Sequence, residues 1–414
     1  MGGKEDNIMT DVIQRTTCAS CGGRLETVFG MPEMPLANGL LTASEINKPC
    51  KRYPLVSAEC QSCGLVQLQF VVDPTILYHS YRFFTGSSTP NTAHFGQLAD
   101  WIKARTAGRR VLEIASNDGT LLTALEAIGF DVVGVDPAID QCAMAATKLK
   151  RGRVMCKYWG DAAAREEHGR FDVVVACNVL AHVPDLSDFL GAVRRVIRTG
   201  GLFVVDVQYL KALIKAAAFD AWYHEHISSF DETSLSAVLT RAGFKVLGWE
   251  VIDAHHGTLR MWASPTGTGI NIEPSTHDWP AFRAGVELRR EYLGHVIHEL
   301  KSEGRRVCFL GAPAKATILA NYCNLTSEDI AFATDTTPAK QGLFIPGANI
   351  PIVDPSHMQP PDAAIVTAWN HWPHIAAKEA AFVAAGGMLI KPTLDGLATA
   401  IASLERTSHA RVGT

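Results

Sequence analysis

Four apolar runs, each as long as a buried strand, constrain the fold of this chain most strongly. They cover residues 111–115, 132–135, 173–176 and 202–205, and segments with helical patterning, such as 121–128 and 189–197, separate them. An alternation of short apolar strands with helices is typical of a parallel sheet that is covered by helices on both faces. We therefore expect a Rossmann-like α/β domain in the middle of the chain.

The regions before and after this alternation differ from it. Residues 245–251 and 258–263 predict an antiparallel pair that closes the sheet. A helix over 279–300 then precedes strand-like runs at 307–310, 330–333, 350–353, 363–368 and 388–390, which predict a second, smaller α/β domain. The beginning of the chain has paired cysteines, turn residues and short runs at 55–56 and 65–68. We expect domains over 1–75, 76–270 and 271–414.

Composition excludes several classes of protein. With 38 Lys and Arg against 42 Asp and Glu in 414 residues, the chain lacks the basic excess that nonspecific nucleic-acid binding needs. We see no apolar stretch of about 20 residues that would predict a membrane span, and no leader with an apolar core. The expectation is a cytoplasmic protein without nucleic-acid or membrane partners, either a monomer or a weak homodimer.

Two Cys-x-x-Cys pairs predict a metal site. The ligands would be Cys18, Cys21, Cys60 and Cys63, and glycines follow each pair. Two such turns can direct four thiolates at one ion, which is the closed geometry of structural zinc. Two redox-active pairs, or a chance spacing, remain as alternatives.

The first strand runs into a polar loop, Ala115-Ser-Asn-Asp-Gly119, at the edge where Rossmann sheets bind nucleotides. The loop has one glycine where a dinucleotide-binding loop has three. Asn117 can adopt a left-handed conformation, so a tight turn is still possible. Asp136 ends the next strand and could bind ribose hydroxyls. These residues favour an adenosine-containing ligand, with an α/β core that binds nothing as the alternative.

Four titratable residues are consecutive at Tyr223-His224-Glu225-His226. A histidine is a suitable general base near neutral pH, a carboxyl could orient a neighbour, and a phenol could stabilise an oxyanion. His224 and His226 are two residues apart, which is the wrong spacing for metal ligands on one helix face. Such a stretch could equally belong to a surface or a core.

The motif Glu113-Ile-Ala-Ser-Asn-Asp-Gly-Thr, followed by Gly-Val-Asp136-Pro-Ala, resembles the class I methyltransferase domain of the deoxysugar C-methyltransferases. That family has an N-terminal zinc-binding domain and a C-terminal Rossmann-like domain, and the resemblance covers roughly residues 15–400. It implies S-adenosylmethionine (SAM) as the cofactor and a structural Zn²⁺. The residues that would bind SAM are Glu113, Ala115, Asn117, Gly119, Asp136, Pro137 and Asn178.

The stretch Tyr-His-Glu-His-Ile is similar to the hallmark of these sugar methyltransferases, and residues 178–185 also match. The resemblance implies His226 as the base, Tyr223 as the oxyanion ligand, and Glu225 and His182 as assisting groups. Further matching segments imply a nucleotide-sugar site, whose residues would be Tyr81, Ser87, Pro313, Lys315, Asp335, Trp369 and Asn370. The sequence departs from the family in 78–88, at Cys177, at Asp206 and in 255–260, which puts the identity of the sugar in doubt.

Together these observations predict methylation of C3 in a nucleotide-linked 4-keto-6-deoxysugar, with thymidine diphosphate as the expected nucleotide. Three alternatives remain at this point. The chain could be an O- or N-methyltransferase on the same scaffold, a zinc-containing regulatory module, or, given its poor glycine pattern, less readily a nicotinamide oxidoreductase.

Overall fold

The computed structural model describes residues 11–77, 84–87, 89–167, 171–254, 256–357 and 361–412. The N-terminal region is built from short antiparallel strands. These are β1 (Val12–Gln14), β2 (Leu25–Met34), β3 (Tyr53–Cys60), β4 (Val66–Leu68) and β5 (Phe70–Val72), and helix α1 (Pro74–Leu77) follows. The runs predicted at 55–56 and 65–68 fall within β3 and at β4.

The central region alternates strands and helices as the apolar runs predict. Its elements are α2 (Thr89–Lys103), β6 (Arg110–Ile114), α3 (Thr120–Ala127), β7 (Asp131–Asp136), α4 (Ile139–Lys148), β8 (Arg153–Cys156), α5 (Asp161–Glu166), β9 (Phe171–Cys177), α6 (Leu186–Val196), β10 (Ile197–Gln208), α7 (Leu210–Lys215), β11 (Ser228–Ser229), α8 (Glu232–Arg241), β12 (Lys245–Ile252) and β13 (Thr258–Ser264).

Seven of these strands form one sheet in the order β12-β13-β10-β9-β6-β7-β8. The five strands from β10 to β8 are parallel, whereas β13 runs antiparallel to both β10 and β12. The predicted antiparallel closure is therefore confirmed, and the fold is that of a class I SAM methyltransferase. Because β6, β7 and β9 are parallel neighbours, their carboxyl ends lie at one edge of the sheet.

The C-terminal region begins with the long helix α9 (Trp279–Ser302). The later elements are β14 (Val307–Leu310), α10 (Ala314–Tyr322), β15 (Ala333–Thr334), β16 (Phe344–Ile345), β17 (Ile350–Val353), β18 (Ala363–Val366), α11 (Trp372–Lys378), α12 (Ala380–Ala384), β19 (Met388–Ile390) and α13 (Leu394–Val412). The sheet order is β16-β17-β15-β14-β18-β19, in which only the β16–β17 pair of the described strands is antiparallel.

The strand predicted at 330–333 is wrong in its extent, because β15 covers only Ala333–Thr334. The backbone N–H of Ile330 donates to the carbonyl of Thr326, so that residue still belongs to the preceding turn. Regular pairing with β14 and β17 then starts at Ala333.

Hydrophobic side chains of the three regions share cores. Phe29 of β2, Trp222 and Phe282 of α9 pack together with ring centroids 5.0 to 6.0 Å apart. Cys18 and Cys60 pack in a second core with residues of the central sheet. Among the residues described, no helix combines the length and apolar character that crossing a bilayer requires.

Candidate functional site

The four predicted metal ligands converge on one point. The Sγ atoms of Cys18, Cys21, Cys60 and Cys63 all lie within 4.8 Å of one another. Three of the separations are 3.4, 3.5 and 3.7 Å, close to the edge of about 3.8 Å that a tetrahedron with Zn–S bonds of about 2.3 Å requires. The four cysteines therefore fit a structural zinc ion, and four thiolates leave no position open for a substrate.

Polar groups around these sulfurs suit thiolates. The backbone N–H groups of Ser20, Gly23 and Ser62 each donate to a cysteine Sγ at 3.4 Å. The amide of Gln67 donates to the Sγ of Cys18 at 3.2 Å. Such hydrogen bonds orient metal ligands and offset their negative charge.

A second site lies at the carboxyl ends of β6, β7 and β9. A cavity of about 410 Å³ opens there, and predicted cofactor residues line it together with one predicted catalytic histidine. These residues are Glu113, Ala115, Asn117, Asp136, Pro137, Asn178 and His182. Such a cleft is where nucleotide ligands bind in α/β sheets.

Three residues of the loop after β6 have left-handed backbone conformations, and two of them are not glycines. The φ angles of Ala115, Asn117 and Gly119 are 57°, 47° and 73°. Gly119 is absent from the cavity wall and precedes α3, where a Cβ atom would come within 2.9 Å of the Cβ of Ala145. The backbone N–H of Asn117 donates to Asp136 Oδ2 at 2.9 Å, so the loop and the end of β7 hold each other.

Two acidic side chains of the cavity carry perturbed pKa values. Burial raises the pKa of Glu113 well above its usual range, and the neighbouring Asp136 and Asp118 raise it further. The Oε2 atom of Glu113 has no hydrogen-bond partner within the described residues. Burial also raises the pKa of Asp136. An unpartnered acidic oxygen in a cavity wall suits a positively charged or hydrogen-bond-donating ligand.

The predicted catalytic residues Tyr223 and His226 form a hydrogen-bonded pair. The Tyr223 hydroxyl lies 2.7 Å from His226 Nε2, and His226 Nδ1 lies 2.8 Å from the carbonyl oxygen of Ala221. A carbonyl can only accept, so Nδ1 carries the proton and Nε2 presents its lone pair to the phenol. Burial, His182 and Lys315 lower the pKa of His226 well below its usual value, so the imidazole is neutral.

His182 and Glu225 flank this pair in different ways. The rings of His182 and His226 are 5.1 Å apart, and His182 is the one of the two that lines the cavity. Burial lowers the pKa of His182 to about 4, although its ring donates to the backbone carbonyl of Glu225. The Glu225 carboxyl accepts a hydrogen bond from Asn38 Nδ2 at 2.7 Å, and burial raises its pKa to about 7.

Asp220, which lies just before Tyr223 in the sequence, forms a buried ion pair. Asp220 Oδ1 accepts from Arg289 Nη1 of α9 at 2.5 Å, and Oδ2 accepts from the indole N–H of Trp369 at 2.6 Å. Arg289 also donates to the carbonyls of Ala217 and Pro392. The predicted substrate residue Trp369 is thus buried against the 220–229 segment, which we name the catalytic segment after the role predicted for Tyr223 and His226.

Lys315 lies at the start of α10, near the same segment. Its Nζ donates to Asn370 Oδ1 at 3.0 Å and lies 4.8 Å from the centre of the Trp369 ring. Burial lowers the pKa of Lys315 to about 8, while the charge of Asp220 opposes the decrease. Pro313 precedes α10. A mostly protonated ammonium at a helix N-terminus can bind an anion.

Of the other predicted substrate residues, Asp335 lies in the C-terminal region, whereas Tyr81 and the side chain of Ser87 are not described by the structure. Asp335 directly follows β15, accepts from the backbone N–H of Ala312 at 3.1 Å and pairs with Lys340 at 3.1 Å.

Two of the positions where the sequence departs from the family pattern, Cys177 and Asp206, are neighbours on adjacent strands. Asp206 is buried and accepts two hydrogen bonds from Arg260, at 2.7 and 2.8 Å, with His94 3.3 Å away. Cys177 lines the cavity, and burial raises its pKa well above the usual range. Arg260 is the β13 partner of Asp206. His255, residues 78–83 and Ser88 are outside the described residues.

Sequence reasoning did not identify Asn38 or Arg289. Asn38 lies in a short turn without periodicity, and Arg289 lies on a helix where an arginine normally faces solvent. A charged residue among the apolar positions of α9 was the available signal for Arg289.

Three family models match successive parts of the chain: a zinc binding domain (residues 18–78), a methyltransferase domain (92–248) and a C-methyltransferase C-terminal domain (273–393). The C-methyltransferase NovU of Streptomyces niveus is 31% identical over 412 residues, which cover 93% of this chain and 97% of NovU. A ubiquinone biosynthesis O-methyltransferase of Azorhizobium caulinodans is 29% identical over 43% of this chain and 74% of its own length.

Two solved structures have lower similarity to this chain. The PH0226 protein of Pyrococcus horikoshii OT3 is 19% identical, with a TM-score of 0.37, over 46% of this chain and 98% of its own. The magnesium protoporphyrin IX methyltransferase ChlM of Synechocystis PCC 6803, solved with bound SAM, is 14% identical, with a TM-score of 0.34, over 43% of this chain and 80% of its own.

Proposed function

This chain belongs to the C-methyltransferase family, and we propose that it methylates C3 of a nucleotide-linked 4-keto-6-deoxysugar through an enolate. The protein is a SAM-dependent methyltransferase with a zinc-binding N-terminal region. The observation that supports the finer proposal is the Tyr223–His226 pair. The ring of His182, which lines the cavity, lies 5.1 Å from the ring of His226 and so connects the pair to the cavity.

The cavity residues fit SAM. The unpartnered Oε2 atom of Glu113 suits the ammonium group of the cofactor, and Asp136 at the end of β7 suits its ribose hydroxyls. When bound, SAM would supply an electrophilic methyl group on a sulfonium, with the neutral thioether as the leaving group. We assign Ala115, Asn117, Pro137 and Asn178 to the walls of this site, and Gly119 to the turn that shapes it.

His226 provides the base for the acceptor. Its Nε2 lone pair takes the proton from C3, the electrons of the C–H bond form the enolate, and the enolate carbon then bonds to the methyl group. The hydrogen bond from Nδ1 to the Ala221 carbonyl fixes the required tautomer before the substrate binds. In the structure the Tyr223 hydroxyl is hydrogen-bonded to His226 Nε2. When the sugar binds, this hydroxyl turns to the ketone oxygen.

Burial has two consequences for this base. It keeps His226 neutral at any pH near 7, so the lone pair is always present. It also makes the imidazolium costly, with His182 and Lys315 nearby. The enolate that forms together with the imidazolium offsets this cost, because opposite charges attract strongly where water is excluded.

Lys315 and the start of α10 are proposed to bind the diphosphate of the sugar nucleotide. The ammonium lies beside Asn370 and over Trp369, and the Trp369 indole is tied through Asp220 to the catalytic segment. Binding of the diphosphate would therefore orient the sugar relative to His226. We also place Pro313, Asp335, Tyr81 and Ser87 in this substrate site.

The proposal is tested with purified protein, SAM and a panel of thymidine, guanosine and cytidine diphosphate 4-keto-6-deoxysugars in heavy water. Mass spectrometry should detect one added methyl group on carbon for one sugar. His226→Gln should lower the rates of methyl transfer and of deuterium uptake at C3 by about 10²- to 10⁴-fold, which is the usual contribution of general-base catalysis. Tyr223→Phe should reduce both.

The exposed His295→Gln on α9 is the matched control and should behave as wild type. Transfer to oxygen or nitrogen that survives His226→Gln would refute the enolate proposal and identify an O- or N-methyltransferase on the same scaffold. The partial match to an O-methyltransferase makes this the second candidate.

A further inference from the structure

A turn of the N-terminal region reaches the proposed active site. The turn follows β2, and the backbone N–H of Gly39 closes it by donating to the Leu36 carbonyl at 3.0 Å. Ala37 is buried, and its carbonyl accepts from Thr317 Oγ1 of α10 at 2.8 Å. The next residue, Asn38, is exposed, and its Nδ2 lies 2.7 Å from Glu225 Oε1.

Glu225 is in an unusual state for a carboxyl group. The residue is 5% exposed, and burial raises its pKa to about 7, while the Asn38 amide opposes the increase. The titratable neighbours of Glu225 in the sequence are Tyr223, His224 and His226, and His182, from the loop before α6, donates to the backbone carbonyl of Glu225. Lys315 of α10 acts on the neighbouring His226.

We propose that Asn38 is a positioning residue that holds the Glu225 carboxyl and stabilises its ionised form, so that the zinc-binding region supplies part of the active site. This inference rests on the proposed role of the catalytic segment. An amide is well suited to the task, because it donates to a carboxylate without adding a charge that would fix the protonation state.

Other contacts hold the same segment on the N-terminal region. His224 Nε2 lies 3.3 Å from the Tyr53 carbonyl. The backbone N–H of Leu68 donates to the Ile227 carbonyl at 2.8 Å, and β11 pairs with β4 in the register Ser228↔Gln67. The turn that carries Asn38 and the segment that carries Glu225 are thus both anchored, which fixes the distance between the two side chains.

The test measures the pKa of Glu225 directly. Protein labelled with ¹³C at glutamate Cδ is titrated by NMR, and Glu225→Gln assigns the signal. Asn38→Ala should raise the pKa of Glu225 by about one, because a hydrogen bond to a charged group contributes about 1.5 kcal/mol or more. Asn38→Asp should raise it further, since a second carboxyl replaces the donor. The exposed Asn47→Ala, in the same region, is the control and should leave it unchanged.

Asn38→Asp keeps the shape of the side chain, so it separates a structural role from the proposed one. A Glu225 pKa that equals the wild-type value in Asn38→Asp would overturn the inference. In methyl transfer, Asn38→Ala should lower kcat and shift the acidic limb of the pH profile upward, with KM for SAM unchanged. If no ketosugar is methylated, the proposed function fails, whereas the NMR titration still decides the role of Asn38.

Discussion

His277 lies between two carboxylates that belong to different parts of the fold. Its Nδ1 is 2.8 Å from Glu59 Oε1 on β3, and its Nε2 is 3.2 Å from Asp231 Oδ2 at the start of α8. The side chain is 2% exposed. The two carboxylates raise the pKa of His277 to about 9, although burial opposes the increase. His277→Gln removes this charge, and we expect a loss of stability that depends on pH.

The size and sign of the effect follow from proton linkage. The folded pKa of about 9 exceeds the usual histidine value of 6.5, and each unit corresponds to about 1.36 kcal/mol, so the contribution is about 3 kcal/mol. Since the pKa is raised by folding, this stabilisation is complete below pH 6.5. It is lost as the pH rises through about 9.

The assay compares urea-induced unfolding of zinc-saturated wild type and His277→Gln at several pH values from about 6 to 10. The difference between the two should be largest at the acidic end and decrease by about 3 kcal/mol toward the alkaline end. Other titrating groups, such as Lys315, act in both proteins and cancel in the difference. His298→Gln, at an exposed position of α9, should give no such difference. A His277→Gln difference that is constant with pH would refute the reasoning.

Three further predictions concern the cofactor, the ion pair and the zinc site. SAM binding should release a proton from the Glu113 carboxyl, because the ammonium group of the ligand favours the ionised form of this carboxyl. Calorimetry in buffers of different ionisation enthalpy should detect the release in wild type and not in Glu113→Gln. The Glu113→Gln variant should also bind SAM at least about ten-fold more weakly. Arg289→Met should destabilise the fold by about 3–5 kcal/mol in thermal or urea unfolding, since it leaves Asp220 buried and unpaired, and adding Asp220→Asn should restore part of the loss. Gln67→Leu should weaken zinc binding by about 10- to 100-fold in competition with a chelator, because it removes the hydrogen bond to Cys18, and unaltered zinc affinity would contradict the role of that bond.

Local patterns in the sequence were sufficient for most of the fold. The apolar runs predicted the strands of the central sheet, because a buried parallel strand needs several consecutive apolar residues. The cysteine pairs predicted the metal site, because each turn brings two thiolates together without help from distant residues. Asn117 and Gly119 similarly predicted the turn after β6, where both have positive φ angles.

The contacts between regions could not be predicted in the same way. Asn38 and Glu225 are far apart in the sequence, and nothing in the spacing of either residue indicates the other. The Tyr223–His226 hydrogen bond is local, but the tautomer depends on the Ala221 carbonyl, whose direction is set by the folded segment. Non-local pairing is decided by tertiary packing, which leaves no periodic signal in the chain.

The pairing of β4 with β11 has a consequence for how the chain acquires its structure. Gln67 and Ser228 are roughly 160 residues apart, so the N-terminal sheet lacks its last strand until the central sheet is nearly complete. Closing so large a loop costs entropy that is recovered only when the late contacts form, and such contacts slow folding. The β4–β11 pair can therefore form only after about half of the chain has emerged from the ribosome. A zinc-binding region grafted from a relative onto this chain must therefore supply a β4 edge that pairs with Ser228 and Ser229.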